Sequence, residues 1–272
     1  MPPSTTDKNY AFIEKLRMTN SGSTGPMQRA IYEDGYVQAL FDRMGPTYDL
    51  VNFISSFGFS EVWRRRCVLN GRVWPGARVC DMMSGSGECW RYVRDRGGSL
   101  ISVDFSRVMA QRQAKRKMRF NESVDVRCEN ALQTSIESES VDCVISAFGL
   151  KTLSPEALMR FALEIRRILK PEGRISLLEI STANSWWLSP VYRWYVNSVI
   201  PIIGKICLGD MDSYSMLGTY TQAFGSTERI APVFVEAGFD VSVHHHFHGC
   251  ATSLVGSKKN RTHQAPRSPT HA

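Results

Sequence analysis

The sequence lacks any paired cysteine motif. Its seven cysteines (Cys67, Cys80, Cys89, Cys128, Cys143, Cys207 and Cys250) are an odd, scattered set with no CxxC or CxxxC spacing. That excludes a zinc ribbon and argues against a disulfide framework, so free thiols in a reducing compartment are expected. Long hydrophobic runs are also missing. The strongest candidate, WWLSPVYRWYVNSVIPIIGKICLG (186–209), contains Arg193, Lys205 and two prolines, whereas a membrane span needs roughly 20 mostly apolar residues. There are no internal repeats and no secretory pattern at the N-terminus. Basic residues are not interleaved with aromatics, so nucleic acid is not an expected partner.

What is present is an ordinary globular composition. Of 272 residues, 43% are hydrophobic and 22% charged, enough for one large domain. The net charge of +7 is partly local. RVMAQRQAKRKMR (107–119) and WRRRC (63–67) read either as solvated helix faces or as surfaces drawn to an anionic substrate or membrane.

Along the chain, residues 1–26 are polar and form an expected flexible leader. Residues 27–70 carry apolar spacings of three and four, a helical cap broken at Gly45-Pro46 and Gly58. Then strands and helices alternate. Short strand-like runs fall at 77–83, 99–105, 124–128, 141–148 and 174–181, with helices at 87–97, 107–119 and 154–173. Ser154 and Pro155 open the last helix and Pro171 to Gly173 close it. A helix at 226–239 precedes two strands within 240–258 joined at Gly249, and 259–272 is an expected disordered tail. This alternation predicts an α/β fold, a mostly parallel sheet with helices on both faces. Residues 182–225 interrupt the 71–258 domain as an aromatic insertion at the carboxyl end of a strand. That is where such sheets bind ligands.

The chemistry sits in VCDMMSGSGECW (79–90). A strand ends in Asp81; Gly85, Gly87 and a helix follow. Glycines let a ligand approach the backbone, and a helix start presents N–H groups. The dinucleotide pattern GxGxxG is incomplete, because Trp90 holds the third glycine position. Asp104, ending the next strand, can accept both hydroxyls of a ribose, and Asp81 can hold a charged amino-acid tail. Together they point to S-adenosylmethionine.

From about residue 30 to 258 the chain resembles the UbiE family, the ubiquinone/menaquinone-biosynthesis C-methyltransferases. The resemblance rests on FDRMGPTYDLVNFISSFGFSEVWRR, DMMSGSGE, ENA (129–131), SAFGLKTL, LKPEGRISLLEIS, GDMDSY and VEAGF. It implies a Rossmann-like class I methyltransferase fold, Asp104 on the ribose, and Asn130 and Ala131 beside the adenine. It also implies that Tyr48 and Asp49 close over the cofactor. The expected cofactor site is thus Tyr48, Asp81, Ser84, Gly85, Gly87, Asp104, Phe105, Asn130, Ala131 and Ser146. The sequence departs from the family at AFGLKT, where Lys151 and Thr152 replace the usual Arg and Asn, and Ser84 replaces a commoner glycine. A lysine lacks the planar fork of arginine.

Methyl transfer to a ring carbon needs alignment, exclusion of water and an ionised phenol. Tyr48, Lys151, Thr152 and His246 are the expected catalytic residues. Lys151 stabilises a phenolate or is an ordinary surface lysine; Tyr48 orients the acceptor or simply packs. HHHFH (244–248) sets three imidazoles in a row on one strand face, which does not converge on a metal, so no metal is expected. His246 is instead a candidate proton acceptor. Trp186, Trp187, Tyr192, Trp194 and Tyr195 form either a lid packed on its own core or a channel for a lipophilic or aromatic acceptor. C-methylation of a quinone-like or phenolic acceptor leads. O-, N- or S-methylation of a secondary metabolite and a non-catalytic cofactor-binding subunit are the alternatives. The expected location is cytoplasmic; peripheral membrane contact and a homodimer stay open.

Overall fold

The computed structural model describes residues 31–44, 54, 56–120, 123–182, 187, 189–200, 202, 205 and 211–259. The expected leader, Tyr48, Asp49 and residues 260–272 lie outside the described residues.

Two cap helices come first, α1 (Asp34–Met44) and α2 (Phe59–Asn70). The body is β1 (Arg78–Met82), α3 (Trp90–Arg94), β2 (Ser99–Val103), α4 (Arg107–Phe120), β3 (Val124–Arg127), β4 (Val141–Ala147), α5 (Pro155–Ile168) and β5 (Leu169–Ile180). Next come α6 (Ser189–Trp194), α7 (Met211–Phe224), α8 (Ala231–Glu236), β6 (Phe239–His246) and β7 (Ala251–Lys258). The strands form one seven-stranded sheet in the order β3-β2-β1-β4-β5-β7-β6. β1 to β5 run parallel, and β7 inserts antiparallel between β5 and β6. The α/β sheet expected from the alternation is therefore present.

Successive strand residues face opposite sides, and this alternation splits the core. Cys80, Val144 and Leu177 pack under α5 and α8 with Phe161, Ile165 and Phe234. Their neighbours Val79, Cys143 and Leu178 pack with Trp63 and Cys67 of α2 and Trp90 of α3. Both faces are buried, so the central strands carry near-continuous apolar runs. A third, smaller cluster joins α1, α4 and α7 through Leu40, Met44, Met109 and Tyr220. It ties the cap to the insertion.

Local signals acted as expected at the start of α5. Ser154 caps it, its Oγ accepting from Ala157 N at 3.2 Å, and Pro155 is the first helical residue. The end differs from expectation. The helix stops at Ile168, because Leu169 already pairs with Val141 in the sheet, and Glu172 takes a positive φ of 62°. The helix expected at 87–97 contracts to Trp90–Arg94, its first turn being given over to the glycine loop. The helix expected at 226–239 is a short turn, Thr227–Arg229, followed by α8, with Phe239 already in β6. Gly249 does join the last two strands, ending three successive positive-φ residues, Phe247, His248 and Gly249. Among the described residues no helix is long and apolar enough to cross a membrane.

Candidate active site

The glycine turn after β1 has a shape that its neighbours enforce. Met83, Gly85 and Gly87 all have positive φ, at 55°, 56° and 84°. A Cβ at Gly87 would lie 2.5 Å from the Trp90 ring. The residue that breaks the dinucleotide pattern thus wedges beneath the turn. Trp90 Nε1 donates to Ser102 Oγ at 3.2 Å, and that hydroxyl sits 2.7 Å from Ser84 Oγ. Gln113 Nε2 donates to Ser84 Oγ at 2.9 Å and to Gly85 O at 2.6 Å. Ser84 therefore spends its hydroxyl inside the protein.

Asp104 follows β2 and grips the turn. Its Oδ2 accepts from Gly85 N at 2.8 Å and its Oδ1 from Ser106 N at 2.9 Å. Burial raises its pKa to about 6, against the lowering pull of those N–H groups, and Asp42 adds to the rise. Around it run two narrow cavities of about 50 and 40 Å³ that share Met83, Asp104, Phe105 and Thr152. The first adds Arg64, Ser84, Gly85 and Glu88; the second adds Val37, Asn130 and Ala131. Asn130 Oδ1 accepts from Leu132 N at 2.9 Å, which shapes that loop. Asp81, at 1% exposure, lines neither cavity, and its Oδ2 has no hydrogen-bond partner among the described residues. Burial, then Glu88 and Asp104, push its pKa well up. Ser146 is fully buried on β4 and lines neither cavity.

Beyond Phe148 the cleft meets a chamber of about 370 Å³. α2 contributes Phe59 and Trp63 to its wall. The 182–225 insertion supplies Val191, Tyr192, Tyr195, Val196, Ile200, Leu217 and Thr221, and the β6–β7 connection supplies Phe247 and Cys250. Lys151 is the one charged residue among the described residues lining it. It is 4% exposed and paired with Glu179, Nζ to Oε1 at 2.8 Å. Thr152 instead lines the two cavities at Asp104, with its hydroxyl donating to Gly149 O at 2.7 Å. His246 lines neither space. Its Nε2 lies 2.8 Å from Ser253 Oγ, and burial, then Arg66 and the neighbouring histidines, lower its pKa to about 4. Trp187 and Trp194, expected in the lid, face outward at 83% and 61% exposure. Among the described residues no three His, Cys, Asp or Glu converge as metal ligands.

Comparison with known proteins bears on this geometry. A sequence profile described as the ubiE/COQ5 methyltransferase family matches residues 29–258. A demethylmenaquinone methyltransferase of Lactiplantibacillus plantarum is 31% identical over 82% of this chain and 96% of its own. The ubiquinone/menaquinone biosynthesis C-methyltransferase UbiE of Hydrogenovibrio crunogenus is 28% identical over 75% of this chain and 82% of its own. This chain belongs to the ubiE/COQ5 methyltransferase family. In fold it is similar to the crystal structure of a SAM-dependent methyltransferase from Aquifex aeolicus, at 15% identity and a TM-score of 0.55, covering 77% of this chain and 97% of that one. It is an S-adenosylmethionine-dependent methyltransferase.

Within this family member, sequence reasoning missed Arg64, Glu88 and Glu179. Arg64 is 4% exposed; it bonds Glu61 at 3.2 Å and Glu88 at 2.6 Å, and lies 5.1 Å from the Phe148 ring centre. WRRRC looked like a surface charge run, yet helical periodicity turns the first arginine inward with Trp63 and Cys67. Glu179 had a clearer signal, a lone carboxylate in the apolar run ISLLEIS.

The wedge beneath the turn is directly testable. Gly87→Ala forces a side chain into left-handed φ, costing about 1–2 kcal/mol, and displaces Trp90 as well. A thermal melt should show a fall of several degrees, since about 1 kcal/mol shifts a domain of this size by roughly 2–4 °C. A melting temperature within a degree of wild type would refute the wedge.

Proposed function

We propose that this methyltransferase methylates a ring carbon of a quinol or phenol bearing an apolar tail. The observation that carries the reading is the junction at Phe148, where the cofactor cleft opens into an apolar chamber whose one cation among the described residues is the buried Lys151. The names of the relatives, demethylmenaquinone and ubiquinone/menaquinone methyltransferases, support the same acceptor class.

The residues of the cleft suit the cofactor. Two carboxylate oxygens at Asp104, anchored from behind by backbone N–H groups, match a vicinal diol. The partnerless oxygen of Asp81, with Glu88 beside it, matches an ammonium, and Arg64 matches a carboxylate. Asn130 and Ala131 border the adenine end. When bound, the cofactor supplies an electrophilic methyl group on a positively charged sulfur. Everything else falls to the chain. Phe148 and Thr152 separate the two spaces. The aromatic walls exclude water, and Lys151 favours the ionised form of an acceptor hydroxyl, which raises the nucleophilicity of the adjacent ring carbon.

The rim of the chamber supports delivery from a membrane surface. Phe57, Val191 and Phe247 line the opening and are 78%, 56% and 49% exposed, with Trp187 and Trp194 nearby in sequence on the same insertion. Exposed aromatics of this kind suit a boundary between water and lipid.

Asp104→Ala should weaken S-adenosylhomocysteine and methylthioadenosine alike by roughly tenfold or more, about 1.4 kcal/mol per decade. Arg64→Ala should weaken only the former, because methylthioadenosine has no amino-acid tail. Calorimetry showing equal losses for both ligands in the Arg64 variant would remove that assignment. Wild-type affinity should also fall as pH drops from 7 to 5, since Asp104 gains a proton near pH 6 in the free protein and the charged form is the better acceptor. A flat profile would contradict the ribose role. For the rim, Phe57→Ser combined with Trp194→Ser should reduce co-sedimentation with phospholipid vesicles while leaving cofactor affinity unchanged. The whole reading stands or falls on incubating the protein with labelled cofactor and a panel of prenylated quinols, simple phenols, amines and thiols. Methyl transfer to an oxygen, nitrogen or sulfur alone would replace it.

A further inference from the structure

Glu179 is the penultimate residue of β5 and is fully buried. A carboxylate there costs several kcal/mol unless it is paired and hydrogen-bonded, and every bond it makes but one runs to a single residue. Its Oε1 accepts from Lys151 Nζ at 2.8 Å, and its Oε2 accepts from the Lys151 backbone N at 3.0 Å. The remaining bond comes from Ile180 N at 2.8 Å. Lys151 Nζ also donates to Phe148 O at 2.7 Å. The lysine is therefore folded back over its own turn and held at both its backbone and its tip. An ammonium has three hydrogens; among the described residues two rest on Glu179 and Phe148, and Lys151 lines the chamber.

A lysine in this place depends on such an arrangement. An arginine in this place would bring its own planar fork and fixed charge; a lysine is a flexible point charge. Without a partner the long side chain would be free to swing away. We propose that Glu179 is the positioning residue of the acceptor site: it holds the Lys151 side chain in place with one N–H directed at the acceptor oxygen. The inference rests on the acceptor reading above and deepens it. It makes the charged group of this site a two-residue unit with no net charge of its own. The apolar tail of the acceptor therefore meets no net charge on entry, while the developing oxyanion meets a fixed donor.

The test separates holding the fold from holding the lysine. Glu179→Gln should lower kcat on a prenylated quinol by about 100-fold, the usual scale for losing a placed oxyanion donor, with S-adenosylhomocysteine affinity unchanged. In a Lys151→Met background the same change should cost less than about threefold, because a residue acting only through Lys151 has nothing left to position. The doubly apolar variant, Glu179→Met with Lys151→Met, should melt near the wild-type temperature, since a buried ion pair can be replaced by apolar side chains without loss of stability. Its kcat should nevertheless remain about 100-fold down. A doubly apolar variant that turns over within about threefold of wild type would overturn the inference, leaving the pair merely structural. So would a folded Glu179→Gln protein with wild-type kcat. Wild type that binds S-adenosylhomocysteine yet methylates none of the quinols would instead overturn the acceptor reading, and this inference with it.

Discussion

The active region depends on one buried polar network beneath the glycine turn. Ser102 on β2, Ser84 in the turn, Gln113 on α4 and Trp90 on α3 satisfy one another in a place with almost no solvent. Each unpaired member would cost about 1–3 kcal/mol, so the network has one comfortable arrangement. That arrangement holds Gly85 N toward Asp104 and sets the floor of the cofactor cleft. Strand, turn and two helices are thereby held in a fixed relation at the carboxyl edge of the sheet, where parallel α/β folds bind their ligands.

Two electrostatic regimes lie side by side above this floor. The cleft at Asp104 is rich in carboxylates: burial raises the pKa values of Asp81 and Asp104, with Glu88 and Asp104 adding to the rise at Asp81 and Asp42 to the rise at Asp104. The adjoining chamber is the reverse, mostly apolar, and its one charged residue among those described is a lysine already matched by a carboxylate. Phe148 is the boundary, facing both spaces while Arg64 lies against its ring.

The cap and the insertion complete the site by contact with each other as well as with the sheet. Tyr220 of α7 is fully buried and its hydroxyl donates to Ile31 O, ahead of α1. Gln38 on α1 donates to Phe105 O at 3.1 Å, on the loop carrying Asp104. The cap is therefore in contact with both the Asp104 loop and the insertion, through direct packing of α1 against α4 and α7.

The linear sequence determined the parts of this protein that depend on local chemistry. Short apolar runs marked the strands, Ser154 and Pro155 marked the start of α5, and Gly85 and Gly87 marked the turn after β1, because each of these has a conformational or hydrogen-bonding preference that survives any packing. Tertiary structure decided the rest. Only the assembled sheet puts Glu179 of β5 against Lys151 after β4, since strand register brings together residues 28 positions apart in sequence. Only helix packing turns Arg64 inward while its neighbours Arg65 and Arg66 stay in solvent. The same packing carries Thr152 to the cofactor side, leaves His246 on Ser253, and points Trp187 and Trp194 outward. A side chain's direction depends on which face of its element is covered, and that is a property of the whole fold.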